Sequence, residues 1–272
     1  MNEPRIRIDL PFSLRFLQGL EFPRKLGVCQ LFFSKSLARH AVCWVKTSTG
    51  LDWKLDMRNS THRWIVYGFY EGGSFLRWAK RNLPHNAMVV DSGANIGQMA
   101  LYLGTYCPSG KIFAFEPGTC AAEWLESSLN RNPDLPVELI RAGLSDKTQA
   151  GKLRYGDAEL THGSQAEISE HEGEPIQMLR LDEFLAQRRV ESLDCWKLDV
   201  EGHELLALEG ANSLLQKKKV KALYIELCGE NGMRICRFME QVNYRPYNLS
   251  LNGRLLPFEE LPEHGNALFL PV

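Results

Sequence analysis

Val89-Val90-Asp91-Ser92-Gly93-Ala94-Asn95-Ile96-Gly97 decides how this chain reads. The apolar run opening at Met88 predicts a short buried strand. The glycines behind it predict a turn into a helix over about 97–103. Such a junction is a ligand cradle, because glycine lets the backbone pass close to a bound group and the first helical amides are free to donate. A Gly-x-x-x-Gly spacing is weak by itself, since a plain strand–helix connection uses the same residues. Two acids sharpen it. Asp91 stands at the C-terminal end of its strand, on the rim where open α/β sheets bind ligands, and its charge there repels a pyrophosphate and attracts a cation. Glu116 ends the next predicted strand, Lys111 to Phe115, nineteen residues past Gly97. A carboxylate in that place can accept both hydroxyls of a ribose.

A cationic ligand that carries a ribose is S-adenosylmethionine (SAM), so SAM is the expected cofactor, held by Asp91, Gly93, Asn95, Gly97 and Glu116. A nicotinamide dinucleotide on the same sheet is the alternative, but the glycine pattern is not G-x-G-x-x-G. Outward from this segment, strands and helices alternate. Strands are expected at 137–140, 176–179, 193–198 and 220–227, and helices at 119–129 (capped by Thr119), 181–187, 202–216 and 232–242. A strand from Tyr244, the turn Asn252-Gly253 and a strand over 267–270 end the chain. The fold class is therefore α/β, a Rossmann-like, mostly parallel sheet with an antiparallel last strand expected at its edge. Residues 1–85 read as an N-terminal cap with strands near 42–46 and 51–55, and residues 86–272 as the ligand-binding domain.

Composition excludes several classes. The net charge is −1, so no overall field favours nucleic acid. Residues 1–50 nevertheless hold eight Lys/Arg against three Asp/Glu, a basic, aromatic-bearing segment whose simplest reading is a solvated face. Contact with a membrane surface through it is the sharper alternative. Seven cysteines occur without a C-x-x-C pair; Cys195 and Cys228 lie in apolar runs, and reduced buried thiols in a cytoplasmic protein are expected, with no metal site. Charges at Glu3, Arg5, Arg7 and Asp9 leave no signal-peptide core, and no apolar run reaches the length of a membrane span.

Asp-Ser-Gly-Ala-Asn-Ile-Gly (91–97), Phe-Glu-Pro (115–117) and Lys-Leu-Asp-Val-Glu-Gly-His-Glu (197–204), in this order, closely resemble the motifs of the FkbM-type methyltransferases. Tyr67-Gly68-Phe69-Tyr70-Glu71 looks like the element that precedes the fold in that family. The likeness spans about 56 to 227, with His203 a departure where the family often carries a small residue. It implies a class I methyltransferase fold, SAM as cofactor, and a hydroxyl of a sugar or other polyhydroxylated metabolite as acceptor.

A second constellation follows the strand ending at Leu198. Asp199 lies on the same rim as Asp91 and Glu116, where a carboxylate can orient or deprotonate an acceptor hydroxyl. Glu201 and His203 are the further catalytic candidates. Acids in a first helical turn also serve as plain caps, and a histidine there can equally face solvent. Gly143 and Leu144, after the third strand, are expected along the adenine edge. Tyr70, Glu71 and Glu226 are expected on the acceptor side, with His162 and Ser164 in a polar lid.

Overall fold

A computed structural model describes residues 6–20, 22, 24–155, 166–169 and 172–272. Its centre is an eight-stranded sheet whose order runs Leu255–Pro257, Tyr244–Leu249, His264–Pro271, Leu223–Cys228, Cys195–Leu198, Met88–Ser92, Lys111–Phe115, Val137–Ile140. From Leu223–Cys228 to Val137–Ile140 all pairings are parallel. His264–Pro271 is antiparallel to both of its neighbours. The antiparallel last strand is thus present, but it is inserted between two strands and does not form the edge. The hairpin through Asn252-Gly253 joins Tyr244–Leu249 to the true edge strand, Leu255–Pro257.

The central strands are largely apolar because both faces of the sheet are covered there. Their period-two alternation sorts side chains into two cores. Val89, Ile112, Ala114 and Cys195 join a core with the N-terminal segment and the helices Ser74–Asn82, Ala100–Tyr106 and Thr119–Arg131. Val90, Phe113, Phe115, Trp196 and Leu198 join the other, with helices from Leu181–Gln187 to Gly229–Gln241. Asp91 and Lys197 alternate with Val90 and Trp196, so both point to the face covered by the N-terminal segment. That segment contributes a three-stranded sheet of Arg7–Ile8, Val42–Lys46 and Asp52–Asp56. Fully buried Trp53 packs on Tyr102, ring centroids 5.6 Å apart.

Local expectations fail at places with visible causes. The helix after the glycine turn starts at Ala100, not near 97, because Asn95 and Gly97 hold φ of 49° and 97°. Thr119 is the first residue of its helix and Gly118 is the cap. The helix expected over 202–216 is two, Glu204–Glu209 and Asn212–Gln216. A side chain at Gly210 would meet the Ser145 carbonyl at 2.0 Å, and the Asp182 carboxylate accepts from the Ser213 and Leu214 amides at 2.9 and 3.0 Å, starting the second helix afresh. Cys228 is exposed at its strand's end; all seven cysteines are free.

The stretch after the third main strand forms a separate four-stranded sheet, ordered Gly143–Leu144, Glu174–Leu179, Gln149–Tyr155, Ala166–Ser169. It stands beside the glycine turn and supplies one wall of the cleft described next. Among the described residues no helix is long and apolar enough to cross a membrane.

Candidate active site

Lys197 lies directly opposite Asp91 on the neighbouring parallel strand, so the two side chains leave the sheet side by side. The ammonium stands 3.4 Å from Asp91 Oδ1 and 3.5 Å from Asp199 Oδ2. Its hydrogen bonds go to the main-chain carbonyls of Ser92 and Gly93, at 3.1 and 3.0 Å. Burial would lower the lysine pKa, but the Asp199 and Asp91 carboxylates outweigh it and raise it. Asp91 is fully buried; the Lys197 ammonium and the Ala100 amide face it, neither in a well-aligned hydrogen bond. Burial pushes its carboxyl above the ordinary range, with Lys197 opposing the shift. A buried carboxylate left short of donors is costly unless something outside the chain completes it.

The turn beside it is built for close approach. Gly93 has φ of 71°, and a Cβ there would lie 1.9 Å from the Asp199 carbonyl oxygen. Glu116 Oε2 accepts from the Asn95 amide at 2.8 Å and Oε1 from the Gly118 amide at 2.9 Å, which ties the ends of two strands together. Burial pushes the Glu116 carboxyl up to about 7 against these two amides. Each of its oxygens has a second lone pair still available for a hydroxyl donor.

These groups line one cleft of about 1010 Å³, open mouth included, together with Tyr70, Gly143, Leu144, Glu201 and His203. Gly97, Glu71 and Glu226 do not line it. Gly97 serves packing instead, since a Cβ there would press on Leu101 and Leu125 at 2.5 and 2.6 Å. Glu71 lies close enough to Tyr102 and Tyr106 for its charge to raise their pKa. Glu226 sits on the rim, 3.5 Å from His264 Nε2; burial and then the Asp199, Glu204 and Glu201 charges push it up to about 8. His162 and Ser164 lie outside the described residues.

His203 Nε2 is 3.0 Å from Ser145 Oγ, the residue after Leu144, so the imidazole is engaged at the wall formed by residues 143–145. Burial lowers its pKa against the Asp146 charge, favouring the neutral ring. Glu204 is buried and structural. Its Oε1 accepts from the Val200 and Gly202 amides at 2.9 and 3.1 Å, and its Oε2 accepts from Asn231 Nδ2 at 2.8 Å. This pins the loop that carries Asp199 and Glu201, the latter held at φ of 53°. Among the described residues no group of three or more His, Cys, Asp or Glu could hold a metal ion.

Sequence reasoning quoted Lys197 within a family motif but gave it no role, and it passed over Gln98 and the apolar wall of Leu153, Ile168 and Met178. A lysine inside Cys195-Trp196-Lys197-Leu198, a strand buried on both faces, was the available signal, because such a charge needs a partner. Tyr70 closes the cleft on the N-terminal side. Its hydroxyl bonds Gln98, and burial pushes its pKa up to about 12.

Residues 91–246 match the Methyltransferase FkbM domain, more than half of the chain. The chain is 30% identical to Methyltransferase sdnD of Sordaria araneosa over 184 residues, 56% of this chain and 71% of that protein. It is 30% identical to Hexuronic acid methyltransferase AglP of Haloferax volcanii over 126 residues, 46% of this chain and 50% of that protein. The crystal structure of a methyltransferase FkbM from Methylobacillus flagellatus is similar at a TM-score of 0.49 with 14% identity, covering 89% of this chain and 59% of that one. With a family match that begins at Asp91 itself, the chain belongs to the FkbM methyltransferase family.

Proposed function

We propose that the protein transfers a methyl group from SAM to a hydroxyl oxygen of a sugar or another polyhydroxylated metabolite. The observation that carries this reading is Asp91, a fully buried carboxylate on the wall of the cleft whose cationic neighbour Lys197, 3.4 Å away, spends its hydrogen bonds on the Ser92 and Gly93 carbonyls. A ligand that brings an ammonium group satisfies it, as the methionine part of SAM does. Glu116 suits the ribose hydroxyls, and Leu144, Leu153, Ile168 and Met178 suit a flat apolar base. When bound, SAM supplies a methyl group activated by a sulfonium for in-line displacement, leaving a neutral thioether. The chain's part is to hold the reactants and to take up a proton. Lys197 fixes Asp91 and Asp199 at the same end of the sheet, and Asp199, partly exposed at the mouth, accepts the proton of the acceptor hydroxyl. Asp199 and Glu201, which line the cleft, can accept hydrogen bonds from the hydroxyls of such an acceptor. The likeness to a hexuronic acid methyltransferase supports the sugar class.

Calorimetry with SAM, S-adenosylhomocysteine and NAD, followed by labelled methyl transfer to neutral sugars and to hexuronic acids, tests the reading. Binding of NAD without either SAM or S-adenosylhomocysteine overturns the cofactor. Cofactor binding with no transfer to any hydroxyl acceptor leaves a non-catalytic SAM-binding protein.

A further inference from the structure

The N-terminal segment carries two helices that are apolar on both sides. In Phe12–Gln18, Leu14 and Gln18 are buried, while Phe12 and Phe16, one turn apart on the opposite side, are 85% and 61% exposed. In Lys25–Leu37, Cys29 and Leu37 face the core, while Leu31 and Phe32 are 77% and 71% exposed beside Lys35. A surface helix ordinarily turns polar residues outward. Exposed aromatic residues repeated on two consecutive helices mark a face that binds something. Neither helix contains an Asp or Glu, and Arg24, Lys35 and Arg39 are exposed along this face, while Arg15 pairs with Asp9 and Lys25 is buried. Apolar side chains set among cations suit the interface of an anionic bilayer, where rings and leucines enter the acyl boundary and Lys/Arg meet headgroup charge. The face is also tied to the cleft. Lys25 Nζ bonds the Gln18 carbonyl, Gln18 Nε2 bonds the Val66 carbonyl, and Gly68 fits against Gln18 two residues before Tyr70.

We infer that the outward faces of Phe12–Gln18 and Lys25–Leu37 dock the protein on an anionic membrane surface. Co-sedimentation of the full chain with phosphatidylglycerol/phosphatidylcholine vesicles, and with phosphatidylcholine alone, tests this. The protein is expected to sediment with the anionic vesicles and much less with the neutral ones, and to be released by salt. Phe12→Ser with Phe32→Ser, and separately Lys35→Glu with Arg39→Glu, should each weaken partition about tenfold or more. All four side chains are exposed, so melting temperature and S-adenosylhomocysteine affinity should stay unchanged. Absence of binding to anionic vesicles, or binding that survives both double variants, overturns the inference. So does self-association that the phenylalanine variant abolishes, which would make the face an interface between two copies.

Discussion

At Glu116 two backbone amides compete with burial for control of one proton, and the carboxyl titrates near 7. Ribose hydroxyls donate to the ionised form, so binding should deepen as pH rises. Below about 7 the site must first lose a proton, and S-adenosylhomocysteine affinity is expected to climb between pH 6 and 8. Glu116→Ala should weaken binding by about 1.5–3 kcal/mol and flatten the pH dependence; calorimetry across this range reads both. Asp199 is expected to act on the acceptor and leave the cofactor to Asp91. Asp199→Asn keeps the side chain's size but cannot take a full proton, so kcat should fall by about 100- to 10,000-fold while SAM affinity stays within a few-fold. A loss of SAM binding instead would move Asp199 to the cofactor half. His203→Gln, run in parallel, separates a base from a wall residue; with its ring bonded to Ser145, the change should act on cofactor affinity more than on kcat.

The loop after Cys195–Leu198 keeps its shape through Glu204, whose buried carboxylate satisfies two backbone amides that have no other partner in the helix that follows. Glu204→Ala should cost about 1–3 kcal/mol, read as a lower urea midpoint, and Glu204→Gln should recover part of it through the remaining amide oxygen. Much at this scale was legible in the sequence. Lys111–Phe115 and Val137–Ile140 have the boundaries the sequence predicts: Ile112 to Phe115 is a continuous buried apolar run, and Val137–Ile140 is a short, partly buried edge strand. Asp91, Gly93, Asn95, Glu116 and Asp199 were readable as one cleft because successive strand ends share a rim. What was not legible depends on contacts distant in the chain. The break at Gly210 is made by Ser145 and Asp182, and the apolar wall comes from a sheet whose pairing no local period reveals. Nor does periodicity separate a glycine that faces a ligand from one, Gly97, that makes room for Leu101 and Leu125.

For the molecule as a whole, one apolar core runs from Leu10 through Trp53 and Leu101 to Leu268, crossing from the N-terminal segment into the main sheet. Trp53→Ala should therefore lower the stability of the entire chain by about 3–5 kcal/mol and keep a single transition, with far-UV dichroism and tryptophan fluorescence coinciding. Two separate transitions would mean that the segments melt independently. The inserted strand His264–Pro271 has a consequence for the order of events during synthesis. Tyr244–Leu249 and Leu255–Pro257 connect to the rest of the sheet only through it. While a ribosome is still extending the chain past residue 257, Leu223–Cys228 presents a row of unpaired amides and carbonyls to its surroundings. The methyltransferase sheet can close only after residue 271 has left the exit tunnel, so its last assembly step is a long-range one and the waiting edge is where a nascent chain is most exposed to wrong pairing.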